Sequence, residues 1–189
     1  CQSADVFFKA FPADGKGILR LPGNKGRGKS KVVRLHQSAK TAGSHRISCA
    51  QIKEAGIENV MALRGDLTPE MEGQDRSGWA YRHAVDLIRD IRESGADFCI
   101  GGACYPEVHP ESQSQAEDIR YLKEKVDAGC DFLTTQMFFD NNLLYNFLYK
   151  IREAGITVPV VPGIMPITAG NQVARAIQLS GSFMPRRFV

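Results

Sequence analysis

Residues able to do chemistry recur in this chain at one kind of place, the end of a short apolar run. The run Asn59–Gly65 leads into Arg64-Gly65-Asp66. The run Phe98–Tyr105 leads into Tyr105-Pro106-Glu107-Val108-His109-Pro110. The run Phe132–Phe139 contains Gln136 and leads to Asp140, and the run Val158–Pro166 ends Pro162-Gly163-Ile164-Met165-Pro166. Asp66, by its position, reads equally as a functional carboxylate or as the cap of a turn. His109, between Glu107 and Pro110, reads as a ligand-binding group or as a surface loop residue. Gln136 is the hardest to read as ornament, because a polar side chain inside an apolar run must find partners or be destabilising. Asp118 and Lys125 are seven residues apart on a helical stretch, hence nearly on one face, either as a solvated ionic face or as functional groups.

The elements that carry these residues follow from a repeat. Glu54-Ala55-Gly56-Ile57, Glu93-Ser94-Gly95-Ala96, Asp127-Ala128-Gly129-Cys130 and Glu153-Ala154-Gly155-Ile156 each set a glycine between a helical pattern and an apolar run. A helix commonly ends on a left-handed residue, where glycine has no side-chain penalty. The runs themselves are short, apolar and partly β-branched, as strands of a parallel sheet buried on both faces are. Between them, Ala84, Ile88 and Ile91 share a helical face, with Leu87 beside them. So do Ala116, Ile119, Leu122 and Val126, and again Leu144, Phe147, Leu148 and Ile151. Four consecutive β/α units predict an α/β fold, either a doubly wound sheet or part of a (β/α)8 barrel. Both place their sites at the carboxyl ends of the strands.

Charge divides the chain. Residues 1–50 carry ten Lys/Arg against two Asp/Glu, a net of +8, and residues 51–189 carry fourteen against nineteen, a net of −5. The expected organisation is a basic, glycine-rich, loop-rich or disordered segment over 1–50 and the β/α portion over 51–189. Within the basic segment, Gly23-Asn24-Lys25-Gly26-Arg27-Gly28-Lys29-Ser30 fits the pattern G-x-x-x-x-G-K-[ST], whose backbone amides cradle phosphates. Its context is poor. Ile18–Leu21 before it is broken by Arg20, and Lys31–Lys40 after it reads at best as a short helix without a clear apolar face. Nucleic acid is not an expected partner, since no aromatics are interleaved with the basic residues. No apolar run approaches membrane-spanning length, so no membrane partner is expected. The five cysteines lack metal-ligand spacing, and no metal is expected; reduced, buried thiols and a cytoplasmic location are. The chain begins with Cys1 and is expected to be a fragment.

The matching strings together resemble methylenetetrahydrofolate reductases. They are Asn59-Val60-Met61-Ala62-Leu63-Arg64-Gly65-Asp66, Tyr105-Pro106-Glu107-Val108-His109-Pro110-Glu111, Lys125-Val126-Asp127-Ala128-Gly129, Thr135-Gln136-Met137-Phe138-Phe139-Asp140 and Pro162-Gly163-Ile164-Met165-Pro166-Ile167. They stand in the family's order, at close to its spacing, over residues 51–188. The resemblance implies a partial (β/α)8 barrel that holds FAD at its C-terminal face. It implies reduction of 5,10-methylenetetrahydrofolate to 5-methyltetrahydrofolate with NAD(P)H as electron donor, and a homo-oligomer as partner state. Arg64, Gly65, Asp66, Ala84, Tyr105, His109, Asp118 and Lys125 match positions that hold FAD. Asp66 and Gln136 match the catalytic positions, and Asp66, Gln136 and Gln172 the folate contacts. At the family's first strand, Phe-Glu-x-Phe-Pro-Pro, this chain reads Phe8-Lys9-Ala10-Phe11-Pro12, with Lys9 where the ring-opening acid stands. The family's second strand and its glycine-rich loop have no counterpart, and the third survives at best as Arg46-Ile47-Ser48-Cys49. Impaired activity is therefore expected. The alternatives are an inactive barrel fragment or a P-loop nucleotide-binding protein using residues 23–30.

Overall fold

The computed structural model describes residues 32–36, 49–63, 81 and 83–186. The chain divides into two compact units, Cys1–Gly102 with Ala128–Asp131, and Ala103–Asp127 with Phe132–Val189.

In the first unit a short helix, α1, covers residues 49–54. Strand β1 is Val32–His36, β2 is Asn59–Leu63, helix α2 is Ala84–Glu93, and β3 is Cys99–Cys104, whose last two residues belong to the second unit. The pairings are parallel, Val32 opposite Asn59 through His36 opposite Leu63, and Asn59 opposite Cys99 through Ala62 opposite Gly102. Val60, Met61 and Ala62 are consecutive and all buried. Successive strand residues point to opposite faces, so β2 is covered on both, as a parallel sheet requires. Helix α2 lies against β2 and buries Val85, Leu87, Ile88 and Ile91, each worth about 1.5–3 kcal/mol when fully removed from water. Strand β1 corrects the reading of Lys31–Lys40 as a short helix. Two consecutive β-branched valines favour extended backbone, and β2 supplies the ladder partner. Cys49 lies in α1 rather than in a strand, and residues 46–48 lie outside the described residues.

In the second unit α3 is Gln115–Asp127, β4 is Phe132–Thr135, α4 is Asn141–Glu153, β5 is Val160–Val161 and α5 is Asn171–Ser180. β4 pairs in parallel with β5, Leu133 opposite Val160 and Thr134 opposite Val161. Phe147 and Ile151 of α4 are fully buried. Helix α3 is packed more thinly than its pattern suggests: Leu122 is its one buried residue among those described, and Ala116 is exposed. The apolar runs of this unit are only partly strand. β4 stops at Thr135, before Gln136, and β5 is two residues long.

From Asn59 onward, strand and helix alternate four times, so the four expected β/α units are present. The four repeat glycines, Gly56, Gly95, Gly129 and Gly155, all have positive φ, between 68° and 112°. The repeat is thus a helix-stop signal read correctly from sequence. Cys49, Cys104 and Cys130 are buried and form no disulfide, as expected.

Candidate active site

In the second unit, the segments that leave β3, β4 and α5 converge on one small cleft of about 40 Å³, lined by Tyr105, Glu107, Gln136, Met137 and Ser182 among others. Strand ends meet here because β3 and β4 run the same way. The backbone N–H of Gln136 donates to Cys104 O at 2.8 Å, which sets the two exits side by side.

The exit of β3 is held by α3. The carboxylate of Asp118 accepts from His109 N–H at 3.1 Å. His109 Nδ1 accepts from Glu111 N–H at 3.1 Å, which leaves the ring proton on Nε2. The His109 ring stands edge-on to Tyr105, centroids 4.6 Å apart and planes at 82°, the favoured T-shaped arrangement. Lys125 Nζ donates to Ala103 O at 2.6 Å. Asp118 and Lys125 do share a face, as their spacing predicted, and that face bonds the exit of β3 rather than forming a solvated ionic surface. Gln115 Nε2 donates to Glu107 O at 3.2 Å, and Lys150 of α4 bonds Gln115 Oε1 in turn.

The exit of β4 carries Gln136. Its side chain lies just beyond the strand, half-buried, not inside it. Oε1 accepts from Met137 N–H at 3.0 Å. Asp140 is a structural cap, its side chain accepting from Asn142 N–H at the start of α4. Gly163, past β5, approaches Thr135 so closely that an added Cβ would lie 2.3 Å from Thr135 O, and its N–H donates to Thr135 Oγ1 at 2.8 Å. Only glycine fits this crossing.

The turn that ends α5 closes the cleft. Gly181 adopts the left-handed region at φ 64°. Ser182 Oγ donates to Met137 O at 2.7 Å, and Phe183 N–H donates to both carboxylate oxygens of Glu107 at 3.0 Å. Sequence reasoning missed Ser182 and gave Glu107 no role, because each works through a long-range bond to backbone. The only local hint was the Gly181 helix stop.

The predicted site residues are therefore placed as follows. Tyr105 and Gln136 line the cleft, and His109 and Asp118 are bonded to each other beside it. Lys125 reaches the end of β3. Gln172 is in the first turn of α5, where Oε1 accepts from Thr168 N–H at 2.9 Å, a local bond away from the cleft lining. Ala84 begins α2 in the first unit. Arg64, Gly65, Asp66, Lys9 and residues 23–30 lie outside the described residues. The first unit has a larger hollow, about 190 Å³, beside Cys49, Lys53 and Ser94, but it touches no predicted site residue. Burial pushes the Cys49 thiol upward there, with smaller effects from Ser94 and Asp90, so it is a poor nucleophile. Among the described residues no cluster of His, Cys, Asp or Glu could hold a metal, and no helix is long and apolar enough to cross a membrane.

The donor set suits a flavin dinucleotide in kind: an aromatic ring, an imidazole N–H, a carboxylate for hydroxyls and an ammonium for phosphate. The cleft itself has room for one ligand group rather than a whole dinucleotide.

Known proteins bear on this geometry. The family model described as methylenetetrahydrofolate reductase matches residues 35–189. The chain is 42% identical over 140 residues to the probable methylenetetrahydrofolate reductase (NADPH) of Caenorhabditis elegans, covering 74% of this chain and 21% of that protein. It is 40% identical over 130 residues to the 5,10-methylenetetrahydrofolate reductase of Salmonella typhimurium, covering 69% and 42%. It spans 21% to 23% of the length of the first curated relatives it matches. A solved oxaloacetate acetylhydrolase, in complex with the product oxalate, superposes with a TM-score of 0.50 at 14% identity over 82% of this chain and 52% of that one. That likeness concerns the fold alone.

Proposed function

This chain belongs to the methylenetetrahydrofolate reductase family, and on that premise we propose that it carries part of a flavin-dependent site that reduces 5,10-methylenetetrahydrofolate to 5-methyltetrahydrofolate with NAD(P)H. The observation that carries the reading is the meeting of Tyr105 and Gln136 in one cleft, at the exits of adjacent strands. Relatives named for NADPH and for NADH are both similar to the chain, so the donor is written NAD(P)H.

A flavin, when bound, would supply hydride chemistry. The chain's own residues bind and orient. Tyr105, its ring braced by His109, offers a flat apolar surface for a ring system. Lys125 would place an ammonium beside phosphate and Asp118 a carboxylate beside ribose hydroxyls, with His109, Ala84, Arg64 and Gly65 completing the FAD contacts. Gln136 would hydrogen-bond the pterin, and Gln172 adds a further folate contact. The Asp66 carboxylate would stabilise the cation of the opened folate, an interaction strongest where charge develops. A cytoplasmic, homo-oligomeric protein is part of the same reading.

A second reading, an inactive barrel portion, is favoured by one observation. Lys9 stands where the resemblance calls for an acid. The test is NAD(P)H oxidation by the FAD-loaded chain with methylenetetrahydrofolate, beside Asp66→Asn. Turnover lost in Asp66→Asn supports the reductase. Flavin binding without turnover supports the inactive portion, and neither contradicts both.

A further inference from the structure

The turn after α5 reaches Gln136 through a relay of hydrogen bonds. Ser180 Oγ donates to Ala176 O at 2.8 Å, inside the last turn of α5. Ser182 N–H donates to Ser180 Oγ at 3.1 Å. Ser182 is 7% exposed, and its Oγ donates to Met137 O at 2.7 Å. The same Met137 presents its N–H to Gln136 Oε1 at 3.0 Å. A backbone N–H can only donate, so the amide oxygen of Gln136 must be the atom that faces it. The donor Nε2 is then on the other arm of the carboxamide, away from Met137 N–H. A buried serine hydroxyl that lost its acceptor would be left unsatisfied, so each end of the relay holds the other in place.

We propose that Ser182 is a positioning residue that holds the backbone at Met137, and through its two adjoining peptide groups the Gln136 carboxamide, with Nε2 toward the ligand, so that the cleft takes a hydrogen-bond acceptor such as a ring carbonyl or ring nitrogen. The ligand half of this rests on the folate reading above; the positioning half does not. Glu107 supports the relay by gripping the next residue, Phe183, with both carboxylate oxygens. The turn thus staples the exits of β3 and β4 together.

The test has two readouts on the wild-type chain, Ser182→Ala and Ser182→Thr: amide hydrogen exchange at Met137, and titration with 5-methyltetrahydrofolate. In Ser182→Ala, exchange at Met137 should quicken about tenfold, the size of one net hydrogen bond. The folate dissociation constant should rise by a similar factor, about tenfold. Ser182→Thr keeps the hydroxyl and should restore both. Ser182→Cys, nearly isosteric with a weak donor, gives the same comparison if the alanine variant fails to fold. Unchanged exchange at Met137 overturns the positioning role. Faster exchange with unchanged folate affinity overturns the ligand half. If the wild-type chain takes no folate while Ser182→Ala still exchanges faster, the folate reading fails and the positioning role stands.

Discussion

Asp118 receives the backbone N–H of His109 on its carboxylate at 3.1 Å, tying the first turn of α3 to the loop that leaves β3. The bond serves two needs. It satisfies a loop N–H with a charged acceptor, and it puts negative charge where a helix N-terminus favours it. Asp118→Ala should therefore destabilise the chain by about 1–2 kcal/mol, and it should weaken flavin retention as the His109–Tyr105 stack loosens. Asp118→Asn keeps an acceptor oxygen and should cost less. Urea titrations and flavin binding of the two variants check the order; equal losses would contradict it.

Gly163 sits where no side chain fits. With the added Cβ 2.3 Å from Thr135 O, something in the β4 exit must move. Gly163→Ala should cost about 1–3 kcal/mol, the range for overpacking, and should perturb the neighbouring Gln136. A thermal melt within error of wild type would mean that the crossing is looser than its distances indicate.

Arg92 joins three backbone segments of the first unit. Its guanidinium donates to Phe98 O at 2.8 Å and to Gly129 O at 2.5 and 3.0 Å, and it pairs with Asp131 at 2.5 Å. Asp131 in turn accepts from Ile100 N–H at 2.7 Å. A lysine has no planar fork to make these bonds together. Arg92→Lys should thus lose nearly as much stability as Arg92→Ala, about 2 kcal/mol. Full rescue by lysine would show that charge alone matters.

The Cys49 thiol is held above its ordinary value of 9.0 chiefly by burial. A group whose folded pKa is raised favours the folded state fully below its unfolded pKa, and that contribution is lost as pH rises through the unfolded value toward the folded one. Stability should fall from about pH 9 upward, and the fall should be shallower in Cys49→Ala. Parallel urea titrations at neutral and alkaline pH read this directly. Identical slopes in the two proteins would contradict it.

Much of this was legible beforehand, for local reasons. The repeat glycines announced four helix stops because positive φ is a property of the residue itself, and all four angles agree. The apolar runs located β2 through β5. They overran β4 and β5 because Met137–Phe139 and Ile164–Pro166 are apolar without being paired, and pairing is not written in hydrophobicity. The spacing of Asp118 and Lys125 revealed their shared face. Its target, the exit of β3, could not be read, since spacing along a helix says nothing of what lies opposite. Ser182 escaped notice for the same reason: its acceptor, Met137 O, is 45 residues away.

Flavin binding at these strand exits can be read from a single absorbance experiment. The purified chain is saturated with FAD, desalted, and read by visible absorbance, with Lys125→Ala and Tyr105→Ala beside it. Flavin bands should be retained by the wild-type chain and largely lost from both variants. A wild-type chain that desalts colourless, or variants that retain as much flavin as wild type, would contradict it.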